Sequence, residues 1–179
     1  MKHLICFTII IQFSLIIGCK TSKEFSLPTM ETVSYVDLNR FMGDWYVIAN
    51  IPTFIEKNAT NAIESYSLNE KGQVNTEFTF FQDSPNGEKK IYKPTGYIHN
   101  TETNAEWRMQ FIWPFKMPFY IIDLDKEYSY TVIGIPSRKY VWIMARESVL
   151  ADEIYDKIIN NLSIIGYETS KIEKVIQEW

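Results

Sequence analysis

Short stretches of alternating or continuous apolar residues recur through most of the chain, separated by turn-forming residues. Eight of these stretches predict β-strands: 45–50, 62–68, 74–81, 91–98, 107–113, 119–124, 128–135 and 140–145. Many short strands at nearly even spacing are typical of an all-β sandwich or of a sheet closed on itself. Eight strands in up-and-down order would close into an antiparallel barrel with room for one small ligand.

The hydrophobic period changes near the C-terminus. Apolar residues three and four positions apart recur there: Ile154, Ile158, Leu162 and Ile165. This spacing predicts an amphipathic α-helix over 152–165 with Gly166 as its stop, and we expect its apolar stripe to pack on the outer wall of the barrel. A short final strand over 172–176 follows. Before the first strand, Asp37 is placed to cap a helical turn over 37–42.

The N-terminus has the order of parts found in a bacterial lipoprotein signal. Lys2 and His3 precede an apolar run over 4–17, which leads to Gly18 and Cys19. We expect acylation of Cys19 with chains such as palmitate. Two alternatives are cleavage without lipidation and a transmembrane helix, although the run of about 14 residues is shorter than the roughly 20 that span a bilayer.

Three parts of the chain follow from this interpretation. Residues 1–18 form the signal peptide, the polar stretch 19–34 is a flexible tether, and 35–179 form one folded domain. The hydrophobic content of 46% with 15% aromatic residues indicates a folded protein.

The net charge and the scarcity of metal-binding residues exclude several classes of function. A formal net charge of −4 without a dense Lys/Arg block argues against nucleic acid as a partner. Cys6 lies within the signal, and lipidation would consume the thiol of Cys19. His99 would be the single histidine left for a zinc site or a Ser-His-Asp set, so we expect no metal and no cofactor.

Several motifs resemble those of the lipocalin family, and most closely its bacterial outer-membrane lipoproteins. Gly43-Asp44-Trp45 lies at the start of the first strand, and Arg146 follows the last barrel strand. The middle motif of the family is present only in part, as Leu124-Asp125-Lys126. The resemblance covers residues 35 to the end. It implies a barrel whose Arg146 guanidinium packs over Trp45 at the closed end, a contact worth about 0.5–2 kcal/mol.

In such a barrel the ligand lies inside, and every second residue of a strand faces it. This alternation gives a set of candidate lining residues: Val47, Ala49, Ala62, Glu64, Tyr66, Phe78, Phe80, Met109, Phe111, Trp113, Tyr140 and Trp142. Plain core packing is the alternative role for each of them.

Glu64 is the most specific candidate for ligand recognition. A carboxyl group on an apolar lumen wall would have a raised pKa or need a partner. It could pair with a ligand amine or a choline-like head, or meet Arg108 or Lys93 at the mouth. The alternative is that a β-bulge turns Glu64 out to solvent.

The sequence therefore predicts a lipid-anchored lipocalin in the outer membrane, held there through Cys19. We expect it to bind a fatty acid, a phospholipid-like ligand such as a lysophospholipid, or a similar amphiphile for storage or transport. Two other classes stay open: an envelope enzyme acting on a lipid-like substrate, and a structural lipoprotein whose barrel is filled by its own side chains. The oligomeric state is also open, with a homodimer as one alternative.

Overall fold

The computed structural model describes residues 27–179. The predicted signal peptide, the lipidation site Cys19 and the first part of the tether lie outside these residues. Within 27–179, no helix combines the length and the apolar character needed to cross a membrane.

Ten strands form one antiparallel sheet that closes on itself, because β1 pairs with both β2 and β9. The strands are β1 (Gly43–Ile51), β2 (Ala59–Leu68), β3 (Val74–Gln82), β4 (Glu88–Tyr92), β5 (Thr95–Ile98), β6 (Glu106–Ile112), β7 (Phe115–Leu124), β8 (Tyr130–Gly134), β9 (Val141–Ala145) and β10 (Glu173–Lys174). Helix α1 (Leu38–Phe41) precedes β1, and α2 (Asp152–Ile164) follows β9. A 3-10 turn (Thr169–Lys171) leads into β10, which pairs with β1.

The predicted eight-stranded barrel is confirmed, with one wall segment divided in two. The single strand predicted over 91–98 is broken at Lys93 and Pro94 into β4 and β5, since proline cannot donate to a ladder. Both pieces pair with β3, but only β5 continues the ladder to β6, where Thr95 lies opposite Gln110. We call the end of the barrel at which β1 ends and β2 begins the open end. Toward this end, β4 and the last residues of β6 continue without pairing to each other.

The predicted outer helix is also confirmed. Ile158 and Leu162 of α2 are buried against outward-facing residues of β8 and β9, among them Val132 and Ile143. The stripe packs there because each strand directs alternate side chains to the outer face. Gly166 ends the helix region with a φ of +93°, a left-handed conformation that glycine adopts readily.

The closed end of the barrel is held by Arg146. Its guanidinium carbon lies 3.8 Å from the centroid of the Trp45 ring. The same group donates hydrogen bonds to four backbone carbonyls, those of Arg40, Phe41, Met42 and Asp44. Gly43 has a φ of +95°, and a Cβ there would lie 3.3 Å from Arg146 Nη1, so this position favours glycine for two reasons.

The partial middle motif also contributes to this end. The Asp125 carboxylate accepts hydrogen bonds from Ser129 Oγ and from two backbone N–H groups, which lowers its pKa. Tyr128 accepts a hydrogen bond from the Asp37 N–H at 2.8 Å, and the Arg40 guanidinium lies over its ring. This turn therefore fixes α1, which Asp37 caps as predicted by accepting from the N–H groups of Asn39 and Arg40.

The second half of the predicted tether is not a free linker. Met30 is buried in the outer cluster beside α2, and the Val33 N–H donates to the Ile121 carbonyl at 3.0 Å. Arg138 donates to the Pro28 carbonyl. The prediction was wrong for residues 27–34 because Met30 finds apolar surface between the barrel and the helix, a contact that local composition does not reveal.

Candidate ligand-binding site

Aromatic rings fill the lower half of the lumen. Tyr66 of β2 contacts Trp107 of β6 and Phe119 of β7, with ring centroids 5.7 and 6.4 Å apart. Phe41 of α1 closes the floor beneath them, 5.4 Å from Trp107. These strands lie on opposite walls, so the rings meet across the barrel.

The upper half is lined by apolar and aromatic side chains. Phe80 of β3 stacks on Tyr92 of β4 at 6.1 Å and lies 5.1 Å from Phe78. On the facing side, Trp142 of β9 lies 6.2 Å from Phe119. Val47, Ala62, Met109 and Tyr140 also belong to or pack against this inner cluster. Such a surface suits an acyl chain, since ligand pockets are predominantly apolar with few polar groups.

One side of this region opens to solvent. Met117 lies directly opposite the buried Met109, so both side chains are on the inner face, yet Met117 is 37% exposed. Lys90, directly opposite the inward-facing Phe80, marks the rim on the other side of the gap beside β4 and forms an ion pair with Glu88. The mouth therefore lies between β4 and the β6–β7 hairpin.

Glu64 faces the lumen. It lies opposite Trp45 on one side and Phe78 on the other, both of which point inward. A β-bulge, which could have turned the Glu64 side chain out to solvent, is present in β2. It falls between Thr60 and Ile63 and leaves the residues after Ile63 in register with β3. Glu64 is 8% exposed, and its Oε2 has no hydrogen-bond partner among the residues that the structure describes. Burial, and secondarily the charge of Glu56, raises the pKa of Glu64 well above its usual value.

The suggested protein partners of Glu64 lie elsewhere. Lys93 forms an ion pair with Glu77 at 2.7 Å, and Arg108 lies over the Tyr120 ring on the outer face. Arg108 points outward because its neighbours Trp107 and Met109 point inward. Within residues 27–179, Glu64 takes part in no ion pair.

Glu56 is a second buried acid at this site, and sequence reasoning missed it. It lies in the loop between β1 and β2, and its carboxyl oxygens accept from Trp142 Nε1 at 2.6 Å and from the Thr53 N–H at 2.8 Å. Its position in a loop gave no strand alternation from which an inward direction could be inferred. The hydrogen bond fixes the loop over the upper lumen.

Two further polar groups of the lumen are also unpartnered. The hydroxyls of Tyr66 and Thr76 are buried without a hydrogen bond, although the two residues lie directly opposite each other on β2 and β3. Burial raises the pKa of Tyr66, and the charges of Glu64 and Glu56 raise it further, so the phenol stays protonated. A buried polar group without a partner is costly, and a ligand atom could satisfy it.

The prediction that they line the lumen is wrong for three residues. A bulge in β1 between Val47 and Ala49 places Ala49 opposite the outward-facing Ile143, so Ala49 packs under α2. A bulge in β6 between Met109 and Ile112 interrupts the alternation, and Phe111 is exposed. Trp113 lies at the hairpin tip and is also exposed. An added residue in one strand shifts the pairing and ends the simple alternation.

Two surface cavities lie outside the lumen. One of about 440 Å³ lies between Pro28–Thr32 and α2, lined by residues that include Ile122, Val132 and Ile158. The other, of about 240 Å³, lies near β10 and the loop that carries Glu56. In the part of the chain that the structure describes, no group of three or more His, Cys, Asp or Glu side chains is arranged to hold a metal ion.

A family model for a lipocalin-like domain matches residues 36–177. The chain belongs to the lipocalin-like family. Members of this family bind small hydrophobic ligands. Among relatives of this lipocalin, the outer membrane lipoprotein Blc of Vibrio cholerae is 26% identical over 162 residues, which cover 90% of this chain and 92% of that protein.

Eukaryotic relatives match over similar lengths. Temperature-induced lipocalin-1 of Arabidopsis thaliana is 28% identical over 157 residues, covering 83% of each protein. Apolipoprotein D of Mus musculus is 30% identical over 154 residues, covering 81% of this chain and 79% of the other. Because these relatives span the same barrel, the match concerns the whole domain.

Solved structures agree on the fold of this lipocalin. Insecticyanin from the tobacco hornworm Manduca sexta superposes with a TM-score of 0.67 at 20% identity, covering 84% of this chain and 85% of that one. Lobster apocrustacyanin A1 gives a TM-score of 0.61 at 19% identity, with 79% of each chain covered. At these identities the likeness establishes the barrel alone.

Proposed function

We propose that this protein is a lipid-anchored lipocalin, held in the outer membrane through acylated Cys19, that binds a fatty acid, lysophospholipid or similar amphiphile for storage or transport. The observation that carries the proposal is the division of the lumen. Its floor is closed by Phe41, Tyr66 and Trp107, whereas its upper half is lined by apolar side chains and Met117 on the inner face is 37% exposed. The name of the Vibrio cholerae relative, an outer membrane lipoprotein, supports the location.

Glu64 contacts the polar head of the ligand in this proposal. Two acids, Glu64 and Glu56, lie in the lumen, and Glu64 has an oxygen without a partner. A carboxylate head placed beside them would be repelled, whereas an ammonium or choline-like head would be attracted. An amphiphile with a cationic head therefore binds head-first. A fatty acid binds tail-first, with its carboxylate near Lys90 at the rim.

Three amphiphiles of one chain length test the proposal: dodecylamine, dodecanol and dodecanoic acid. They are titrated against the full chain carrying Cys19→Ser, so that no acyl chain of its own competes, with intrinsic tryptophan fluorescence as the readout. We expect all three to bind, with the amine favoured over the alcohol by about tenfold, which corresponds to one charge-assisted contact. Native mass spectrometry of protein extracted from its own membranes then identifies the resident ligand and the acylation of Cys19.

Glu64→Gln removes the charge and keeps the shape of the side chain. It should abolish the preference for the amine and leave the affinity for dodecanol unchanged. Glu77→Gln is the matched control, because Glu77 lies on the outer face in an ion pair with Lys93. Failure of all three amphiphiles to bind would contradict the proposed function and favour a structural lipoprotein whose lumen is filled. Binding without a preference for the amine would contradict the role of Glu64 alone.

A further inference from the structure

Large apolar side chains project from the rim of the barrel. At the β6–β7 hairpin, Trp113 is 82% exposed, Phe115 74% and Ile112 69%. In the loop between β1 and β2, which ends at the same rim, Phe54 is 89% exposed. Folding does not bury these residues, and an apolar patch of this kind marks an interaction surface. All four lie in or beside connections at the open end.

Charge is distributed unevenly between the two ends of the barrel. The open end carries five lysines, of which Lys90 alone is in an ion pair with another residue of 27–179: Lys57, Lys89, Lys90, Lys116 and Lys139. The exposed acids there are Asp83, Glu88 and Glu173. At the closed end exposed acids outnumber exposed bases: Asp44, Glu70, Glu102, Glu127 and Glu147 against Arg40, Lys71 and Lys126. An acidic protein thus presents a basic rim around its apolar tips.

The gap beside β4 lies next to this rim. The gap between β4 and the end of β6 is bordered by the exposed Ile91 on one side and by Phe111 and Ile112 on the other. Met117, directly opposite Met109 on the inner face, is 37% exposed. Exposed apolar side chains therefore continue from the hairpin tip along both edges of the gap.

We propose that the open end of the barrel docks on an anionic lipid surface, with Ile112, Trp113 and Phe115 inserted at the level of the lipid headgroups. Aromatic residues favour this interfacial region, and lysines at the rim are attracted to anionic lipids. The repelled acidic end points away, so charge orients the mouth toward the membrane. A lipid surface suits this patch better than a second copy, since two basic rims would repel each other.

Vesicle binding tests the docking surface. The full chain carrying Cys19→Ser is mixed with vesicles of phosphatidylcholine, with or without phosphatidylglycerol, and the bound fraction is measured by flotation. Ile112→Ser, Trp113→Ser and Phe115→Ser are combined in one variant. Val149→Ser with Tyr35→Ser is the matched control, because these side chains are 77% and 58% exposed and lie after β9 and before α1, toward the closed end. All proteins keep the same N-terminal residues, so differences in binding report the substituted surface.

We expect the hairpin variant to lose about tenfold in partitioning to the mixed vesicles, while the control binds as the unsubstituted chain does. Lys89→Gln with Lys139→Gln should remove the preference for phosphatidylglycerol. Equal partitioning of the hairpin variant would overturn the proposal. A second result would also overturn the proposal. In it, the unsubstituted chain binds no vesicles but forms a dimer in analytical ultracentrifugation, and the hairpin variant is a monomer. The hairpin variant keeps every residue of the inner cluster, so loss of vesicle binding with unchanged dodecanol affinity separates failure of the docking surface from failure of the lumen.

Discussion

The carboxyl group of Glu56 accepts a hydrogen bond from the indole N–H of Trp142 at 2.6 Å. Glu56 comes from a loop and Trp142 from the wall strand β9, so the contact joins the rim to the interior of the barrel. Trp142 also lies 6.2 Å from Phe119, which connects to the aromatic floor. The loop thus forms part of the boundary of the ligand compartment.

Breaking this contact should open the upper lumen. Glu56→Ala removes the acceptor for both Trp142 Nε1 and the Thr53 N–H, which leaves a buried donor unpaired and costs about 1–3 kcal/mol of stability. We expect faster association of dodecanol in stopped-flow fluorescence and a red shift in tryptophan emission. Glu70→Ala, in an exposed turn at the closed end, is the control. Unchanged association rates would contradict a gating position for the loop.

The stability of the protein should depend on pH through Glu64. Its pKa is raised in the folded state, so its contribution is fully present below the unfolded pKa of about 4.3 and is lost as pH rises through the folded value. Glu64→Gln is neutral at every pH. We therefore expect the substitution to raise the melting temperature relative to the unsubstituted chain as pH rises through the folded-state pKa of Glu64, and the advantage to vanish toward about pH 4. A gain in melting temperature that does not vary with pH would refute the assignment of this effect to the ionisation of Glu64.

Arg146 should be a major contributor to stability at the closed end. Arg146→Met removes the cation over Trp45 and leaves several carbonyls without donors, and we expect a loss of about 2–4 kcal/mol in the free energy of unfolding. Arg146→Lys should recover part of the loss, because an ammonium cannot reproduce the guanidinium fork. Urea denaturation measures both. Arg40→Met is the comparison, since the Arg40 guanidinium lies 4.2 Å from the centroid of the Tyr128 ring but its side chain is 48% exposed. A loss equal to that of Arg146→Met would contradict the larger role of Arg146.

Met109 is buried inside the barrel, whereas Phe111, within the β6 bulge, is exposed, so substitutions at the two residues should have different effects. Met109→Ala removes a buried lining side chain and should destabilise the fold by about 2–4 kcal/mol and change amphiphile affinity. Phe111→Ala alters an exposed side chain and should leave both stability and lumen affinity nearly unchanged. Thermal melts and dodecanol titration distinguish the two. Loss of lumen affinity in Phe111→Ala would place that ring inside the barrel and contradict its exposed position.

Prediction from sequence succeeded where local periodicity is regular. Val47, Glu64 and Trp142 lie on the inner wall because each strand keeps its alternation up to them. The predictions that Ala49 and Phe111 line the lumen were wrong for one reason, the extra residue of a β-bulge. A bulge depends on how two strands pair, and no distinguishing residue in this sequence marks it. Glu56 could not be assigned because a loop has no period and its direction is set by the contact with Trp142.

The order of strands and the outer helix are consequences of the sequence itself, whereas the contact of Arg146 with Trp45 was implied by the resemblance of these motifs to those of lipocalins. Hydrophobic spacing determines which residues can share a buried face, and that spacing is a local property of the chain. The depth of the aromatic floor, the opening beside β4 and the isolation of Glu64 were decided only by the tertiary structure. They depend on how rings from opposite walls meet and on which strand edges stay unpaired, distances that no local pattern encodes.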